Sequence, residues 1–506
     1  MNTNPVARDC IPARIQLVGR FCFIGSCRRW WLADGTLLLA QIQITALLKA
    51  PRAGRPHAHT AATGPLDLGN VGTFELVDGA ATTLRRVAET EGHFRAARIQ
   101  GRKEADDPAP LPSWCRGARF EDTVVNTPLT VLDLVPIASG SSATEALHNS
   151  IDLAQHAERF GYARYWFAEH HLNPGVAGTS PAVLLALTAA ETSTIRLGSG
   201  ALQMGHRTAL SSVEEFGLLD ARHPGRFDLG LGRSGGRPVA ASPSAARIGN
   251  SSPVVDGSAP NGVRIPKRFD PAALLKSPRI ALQKALLQLP GAQSQDYTEQ
   301  VGDVLALIAD TYRSPNGEQA HVVPGAAADL QVWILGSSGG ESALVAGKNG
   351  LRFAANYHVA PAGVLDAVGG YRAAFTPSAD LDRPHVSVSA DVVVADDEAT
   401  ARELAAGYGL WVRSIRTAEG AIPFPTPEEA RRHPWTDADR ELVSDRIETQ
   451  FVGSAVQVAN QLERLRDATA ADELIVTTIT HDHCDRVRSY ELLAEEWSRR
   501  VPLGFH

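Results

Sequence analysis

An α/β fold closed as a (β/α)8 barrel is what this sequence predicts, and three observations carry the reading. From residue 129 onward, short β-rich apolar runs alternate with helix-period segments eight times, as parallel strands joined by helical crossovers do. Eight such units close a barrel, whereas a doubly wound open sheet more often stops at five or six. Glycine, hydroxyl and imidazole groups gather after the strands, not before them, which places the chemistry on one face. The 506 residues are 44% hydrophobic and 21% charged, ordinary for a globular protein and unlike collagen-like, disordered or multi-span membrane chains.

Taken in order, the first strand is the apolar run 129–137, reaching Pro136. Ser142 and Glu145 have capping-box spacing, and Leu147, Ile151, Ala154 and Ala157 line one face of the helix they open. A strand over 163–168, a helix over 181–191 and a strand over 195–201 follow. Then come a helix over 211–220, the turn His223–Pro224–Gly225 and a strand over 227–231. The alternation resumes with strand 331–335 and a helix from Glu341, then strand 352–356 and a helix around 361–374. Strand 386–394 precedes a helix over 398–410, and the helix 455–467 feeds strand 473–478 and a closing helix over 486–499. Two stretches interrupt the pattern. Residues 237–271, rich in Pro, Ala, Ser and Gly, open an insertion at about 236–330 that ends in a helix through Val301, Val304, Leu305, Ile308 and Ala309. Residues 417–434 carry four prolines. Long insertions above a barrel commonly form lids or substrate walls.

Residues 1–125 show no sustained period and end in the linker-like Asp106–Asp107–Pro108–Ala109–Pro110–Leu111–Pro112. They are expected to be a poorly structured N-terminal extension before a barrel domain over 126–506. The formal net charge of −7 leaves no basic footprint for nucleic acid. The apolar stretch 30–48 is broken by Asp34, Gly35, Gln41 and Gln43, so no membrane span is expected. Five cysteines without CxxC or zinc spacing argue against disulfide or structural-metal frameworks. A cytoplasmic enzyme is the expected class.

The second strand ends in Glu169–His170–His171. Alternation sends one imidazole into the barrel mouth and its neighbour away, and a neutral imidazole there could exchange protons or hold a ligand. A packed histidine, with Glu169 paired to an arginine, is the competing reading. Gly336–Ser337–Ser338–Gly339–Gly340 leaves a strand and enters a helix, so small residues and hydroxyls could receive a phosphate. Arg233, after the neighbouring strand, adds a bidentate donor. A tight turn would look similar. His481, Asp482, His483 and Asp485, with His170 and His171, offer the ligand types of a metal-dependent hydrolase, but that HxH opens the last helix rather than following the first strand.

Several segments carry a resemblance: Val131–Leu132–Asp133–Leu134–Val135–Pro136, Arg164–Tyr165–Trp166–Phe167–Ala168–Glu169–His170–His171, Arg196–Leu197–Gly198–Ser199–Gly200 and Pro224–Gly225–Arg226–Phe227–Asp228–Leu229–Gly230–Leu231–Gly232–Arg233. With Val452–Gly453–Ser454, Ala471–Asp472–Glu473–Leu474 and Arg488–Ser489–Tyr490–Glu491–Leu492–Leu493, nearly three quarters of the chain resembles the bacterial luciferase-like flavin-dependent monooxygenases. The resemblance implies a TIM barrel whose mouth binds reduced FMN from a separate flavin reductase and uses O2 to oxygenate a small organic substrate, one oxygen leaving as water. It implies that His170, beside Glu169, is the active-site histidine, and that Ser199, Gly200 and Ala201 run under the flavin ring with a non-proline cis peptide. Arg233, Ser337, Ser338, Gly339 and Gly340 would hold the FMN phosphate, no metal would be needed, and the chain would form a homodimer. Sister branches carry a deazaflavin instead, with hydride transfer as the reaction. The segment Gln203–Met204–Gly205–His206–Arg207–Thr208 keeps the family's histidine but lacks its two prolines.

Overall fold

Eight parallel strands pair in sequence order and return to the first. They are β1 (Leu129–Asp133), β2 (Arg164–Phe167), β3 (Arg196–Ser199), β4 (Phe227–Gly232), β5 (Leu330–Gly336), β6 (Arg352–Ala355), β7 (Val386–Ala395) and β8 (Glu473–Thr477). Each bonds the next, and β8 bonds β1 with Leu474 opposite Leu129, so the barrel is closed as predicted. This computed structural model describes residues 126–233 and 257–500. It also describes one antiparallel pair, Phe23–Ser26 with Gln43–Ala46, within the first 109 residues. The rest of the expected extension, and residues 234–256 of the insertion, lie outside the described residues.

A helix follows each strand: α1 (Ala143–Phe160), α2 (Pro181–Glu191), α3 (Ala209–Arg222), α4 (Tyr297–Ile308), α5 (Glu341–Lys348), α6 (Val364–Ala374), α7 (Ala455–Thr469) and α8 (His483–Arg499). The expected capping box opens α1, with Ser142 and Glu145 each satisfying the other's backbone N–H. The buried face of α1 is Ala146, Ser150, Leu153, Ala154 and Ala157, turned from the stripe read in the sequence. Small side chains let the helix approach the sheet, and Leu147 packs at the margin.

Strand alternation divides the side chains between two cores. Val131, Tyr165, Phe167, Phe353, Val388 and Val476 face the helices. Their neighbours fill the barrel in layers. At the bottom Arg164 bridges Asp228 (2.8 Å) and Glu473 (3.0 Å), and Arg196 adds a second contact to Asp228 at 2.8 Å. Each buried charge therefore has an opposite partner, which such burial requires. In the middle Trp166 and Trp333 meet edge to face at 5.0 Å. Gly198 makes room for them, since a Cβ there would fall 2.6 Å from Trp166 Nε1. Continuing the alternation, the top layer holds Ala168, Gly200, Gly232, Asn356 and Thr477 together with Leu134, Leu335 and Asp391.

The two interruptions are more ordered than the sequence suggests. The first contains a short hairpin, Gly257–Ser258 with Arg264–Ile265, and helices Ala272–Leu275 and Pro278–Leu287 before α4. Between β7 and α7 the expected single helix over 398–410 is two, Glu398–Leu404 and Tyr408–Arg416, parted near Gly407. The proline-rich stretch holds a helix, Pro427–Arg432, opened by a Thr426/Glu429 capping box. Helix Asp437–Thr449 and a further parallel strand, Phe451–Ser454 on the end of β7, follow. Tyr408, Trp411, Phe424 and Val443 from this excursion share one apolar cluster with Leu132, Trp166 and Trp333. The excursion is the roof of the barrel mouth.

Candidate active site

Alternation past β2 sorts Glu169–His170–His171. The Glu169 carboxylate turns outward and is buried, receiving His171 Nε2 at 2.9 Å and His206 Nε2 at 3.0 Å on one oxygen. Its other oxygen accepts the Gln203 N–H at 3.0 Å and faces Arg207 Nε at 3.3 Å. Burial alone would raise its pKa, but these hydrogen bonds and the Arg207 charge hold it at about 2. Glu169 thus clamps the segment 203–207 to the end of β2, and its carboxylate is occupied by protein. The arginine pairing was one of the two readings open from the sequence.

His170 points the other way, into the mouth. Its backbone N–H donates to Gly178 O at 2.7 Å, while the ring Nδ1 is buried with no partner among the described residues. Burial, with His171 assisting and Glu169 opposing, lowers its pKa to about 4, so the imidazole is neutral at pH 7. An orphaned buried nitrogen costs free energy unless something binds it. On the neighbouring strand, just after β3, the Gly200–Ala201 peptide is cis, as the resemblance implies. The Ser199 hydroxyl is turned away into β4, bonding the Gly230 N–H and O at 2.9 Å each. Only its backbone is left for a ligand.

At the edge of the mouth Arg233 reaches the first turn of α5, with Nη1 2.7 Å from Glu341 and its side chain 62% exposed. That contact brings it beside the Ser337–Gly340 loop, as the sequence suggested. The loop's own donors are partly engaged. Gly339 N–H donates to Asp366 on α6 at 2.9 Å, and Gly340 N–H donates weakly to Ser338 Oγ at 3.4 Å. A Cβ on Gly339 would fall 2.7 Å from Asp366 O, so the close approach of α6 requires glycine there.

The strand expected over 352–356 ends at Asn356, just past β6, and His358, two residues on, was missed. His358 Nδ1 lies 2.5 Å from Ser389 Oγ on β7, and that hydroxyl is 3.3 Å from Ala355 O. Burial lowers the His358 pKa to about 4; Asp391 opposes this, while Arg446 and a charged His170 reinforce it. Behind it Asp391, Tyr408 and Arg446 form a buried cluster: Tyr408 OH donates to Asp391, and Arg446 Nη2 lies 3.1 Å from the same carboxylate. Asn356 and His358 at alternate positions beyond a strand end were the available signal. The roof residues Tyr408 and Arg446 had none, because they approach β7 only through the fold. Trp411 Nε1, Thr477 Oγ1 and Thr478 Oγ1 are further buried polar atoms without partners among the described residues.

The hydrolase ligand set does not assemble. His481 Nε2 is 2.9 Å from Ser139 O and His483 Nε2 is 2.8 Å from Asp152, each fixing the entry to α8. Among the described residues the only His and carboxylate group of metal-ligating geometry is Glu169, His171 and His206. There Arg207 already supplies the countercharge that a cation would bring.

Comparison with known proteins agrees with this architecture. Residues 127–246 and 298–472 match the family model described as luciferase-like monooxygenase. The uncharacterized protein YvbT of Bacillus subtilis is 33% identical over 379 residues, 74% of this chain and 98% of YvbT. A luciferase-like monooxygenase of Escherichia coli K12 is 32% identical over 365 residues, 72% of this chain and 95% of that protein. Among solved structures, apo-MsnO8 superposes with a TM-score of 0.58 at 29% identity, over 74% of this chain and 99% of MsnO8. A closed barrel with a histidine in its mouth, matched by that family model over more than half the sequence, places this oxidoreductase in the luciferase-like monooxygenase family.

Proposed function

We propose that this protein binds reduced FMN, delivered by a separate reductase, and uses it with O2 to oxygenate a small organic substrate in the cytoplasm. The observation that carries the reading is the mouth itself: an unpartnered His170 Nδ1, with Arg233 beside a Gly/Ser loop at the rim. When bound, reduced FMN supplies the electron pair that activates O2. The chain's part is positioning and exclusion. Arg233 exchanges Glu341 for the phosphate, with the Ser337 and Ser338 hydroxyls as further donors. Gly200 and Ala201 would lie under the ring at the end of β3, while Trp411 and Phe424 close the apolar roof against water. His170 holds or receives a proton beside the ring as a neutral imidazole. Arg233 and the loop suit a single terminal phosphate, which favours FMN over a deazaflavin whose phosphate lies within a longer tail.

Titration with FMN, followed by flavin fluorescence and melting temperature, tests the reading. Saturable binding that Arg233→Ala weakens and that riboflavin cannot reproduce is expected. No binding of oxidised or reduced FMN would end it. We further propose a homodimer through neighbouring helices α2 and α3, where Val183, Leu187, Leu210 and Leu218 are exposed. Sedimentation should show a dimer that Leu218→Asp dissociates.

Among the described residues no helix is long and apolar enough to cross a membrane.

A further inference from the structure

The barrel mouth holds two half-buried imidazoles, and only one belongs to the reading above. We propose that His358 is a second ligand-facing histidine of this active site, a proton acceptor whose Nε2 takes a hydrogen bond from the occupant of the mouth. The proposal rests on the flavin reading for the identity of that occupant.

Three observations support it. First, the side chain is anchored at one nitrogen only. Ser389 Oγ lies 2.5 Å from Nδ1, and the same hydroxyl has a second acceptor, Ala355 O, at 3.3 Å. The proposal assigns the Ser389 hydroxyl proton to Ala355 O, which puts the imidazole proton on Nδ1 and leaves a lone pair on Nε2. No partner for Nε2 occurs among the described residues. Second, Ser389 belongs to the inward column of β7, Ser387, Ser389 and Asp391, whose alternate neighbours Val388, Ala390 and Val392 face the helices. A contact with Ser389 therefore draws the His358 ring inside the barrel, on the opposite wall from β2. Third, His170 and His358 are within electrostatic reach of each other. Protonating His170 disfavours protonating His358, and linkage makes the effect reciprocal.

The other charges facing His358 oppose one another. Asp391 on β7 attracts a proton, Arg446 on helix 437–449 repels it, and Tyr408 on helix 408–416 bridges the two. Near neutrality neither imidazole carries an extra proton, so both rings are able to accept one. That suits a site that accepts a proton from an N–H or O–H of its ligand and returns it. The proton passes from the ligand to Nε2 and back, with no other bond made or broken.

The test uses the full-length protein labelled with [15N]histidine, with His358 assigned from the signal absent in His358→Asn. The expected result is a neutral Nδ1–H tautomer between pH 6 and 8. Saturating FMN, verified by flavin fluorescence, should shift the His358 Nε2 resonance along with those of His170 and leave His483 unmoved. Ser389→Ala should turn the fixed tautomer into an averaged one. With reduced FMN and O2, His358→Asn should retain FMN binding within about threefold yet oxidise the flavin at least tenfold more slowly, and imidazole added to His358→Gly should restore part of the rate. An Nε2–H tautomer, or a His358 signal unmoved by FMN that demonstrably binds, overturns the proposal alone. Failure of the wild-type protein to bind FMN in either redox state overturns the flavin reading and this proposal together.

Discussion

Glu169→Gln separates structure from chemistry at the end of β2. The amide has the shape of the carboxylate but no charge. It keeps one acceptor for the two imidazoles and sets an N–H2 group where the Gln203 N–H and Arg207 converge. Glu169 titrates at about 2 in the fold against about 4.3 in an unfolded chain, and each unit is worth about 1.36 kcal/mol. The carboxylate thus contributes about 3 kcal/mol at neutral pH, close to the 3–5 kcal/mol typically lost when a buried pair is broken. For a barrel of this size, with an unfolding entropy near 0.8 kcal/mol/K, that amounts to a fall in Tm of about 4 °C. Because the folded-state pKa is depressed, the stabilisation is complete above about pH 4.5 and disappears as pH falls towards 2. Scanning calorimetry of both proteins from pH 7 to pH 3 should show the wild type losing a stability that the variant lacks throughout. A variant that melts within 1 °C of wild type, with the same acid profile, would refute the clamp. If it also lost all oxidation of reduced FMN, Glu169 would be a participant in the chemistry.

Arg233→Ala should weaken FMN binding about tenfold or more, the worth of a charge-assisted hydrogen bond, and leave Tm unchanged because the side chain is mostly exposed. In the same fluorescence titration Glu341→Gln should tighten binding a few-fold by freeing Arg233 from its present partner. His170 and His358 both have lowered pKa values, so the unfolded chain binds protons that the fold excludes. Stability should accordingly fall as pH drops from about 6.5 towards 4, and urea unfolding of a His170→Asn, His358→Asn protein should show a flatter dependence there. Gly198→Ala would set a methyl 2.6 Å from Trp166 Nε1 and 2.7 Å from Asp228 Cβ. The two-tryptophan layer cannot yield without breaking the Trp166–Asp228 hydrogen bond, so a loss of about 1–3 kcal/mol is expected in urea unfolding.

The barrel was legible in the chain because each strand and helix announces itself locally. The Ser142–Glu145 cap, Pro181 at a helix start and the β-branched run over 386–394 are signals contained within a few residues. The roof was not. Helix 437–449 is only weakly amphipathic, and helix 427–432 lies in a stretch whose prolines read as irregular. Helix 437–449 is ordered by Arg446 on Asp391 and Val443 in the interior cluster, and helix 427–432 by Glu429 on Ser139 and Arg431 on Glu403, contacts that local pattern does not encode.

At the site the division is similar. The sequence by itself determined that imidazoles, hydroxyls and glycines cluster after the strands, and that Arg233 and the Ser337–Gly340 loop lie on neighbouring strands. Only the tertiary structure decided which way each side chain turns. Of Glu169 and His170, adjacent in the chain, one is locked into a protein ion cluster and the other is left with an open nitrogen. His358, far along the chain, is brought beside Ser389 at the same mouth. Closure of a barrel joins residues hundreds of positions apart through strand register. The chemistry of an imidazole depends on what that register places within hydrogen-bond distance of it.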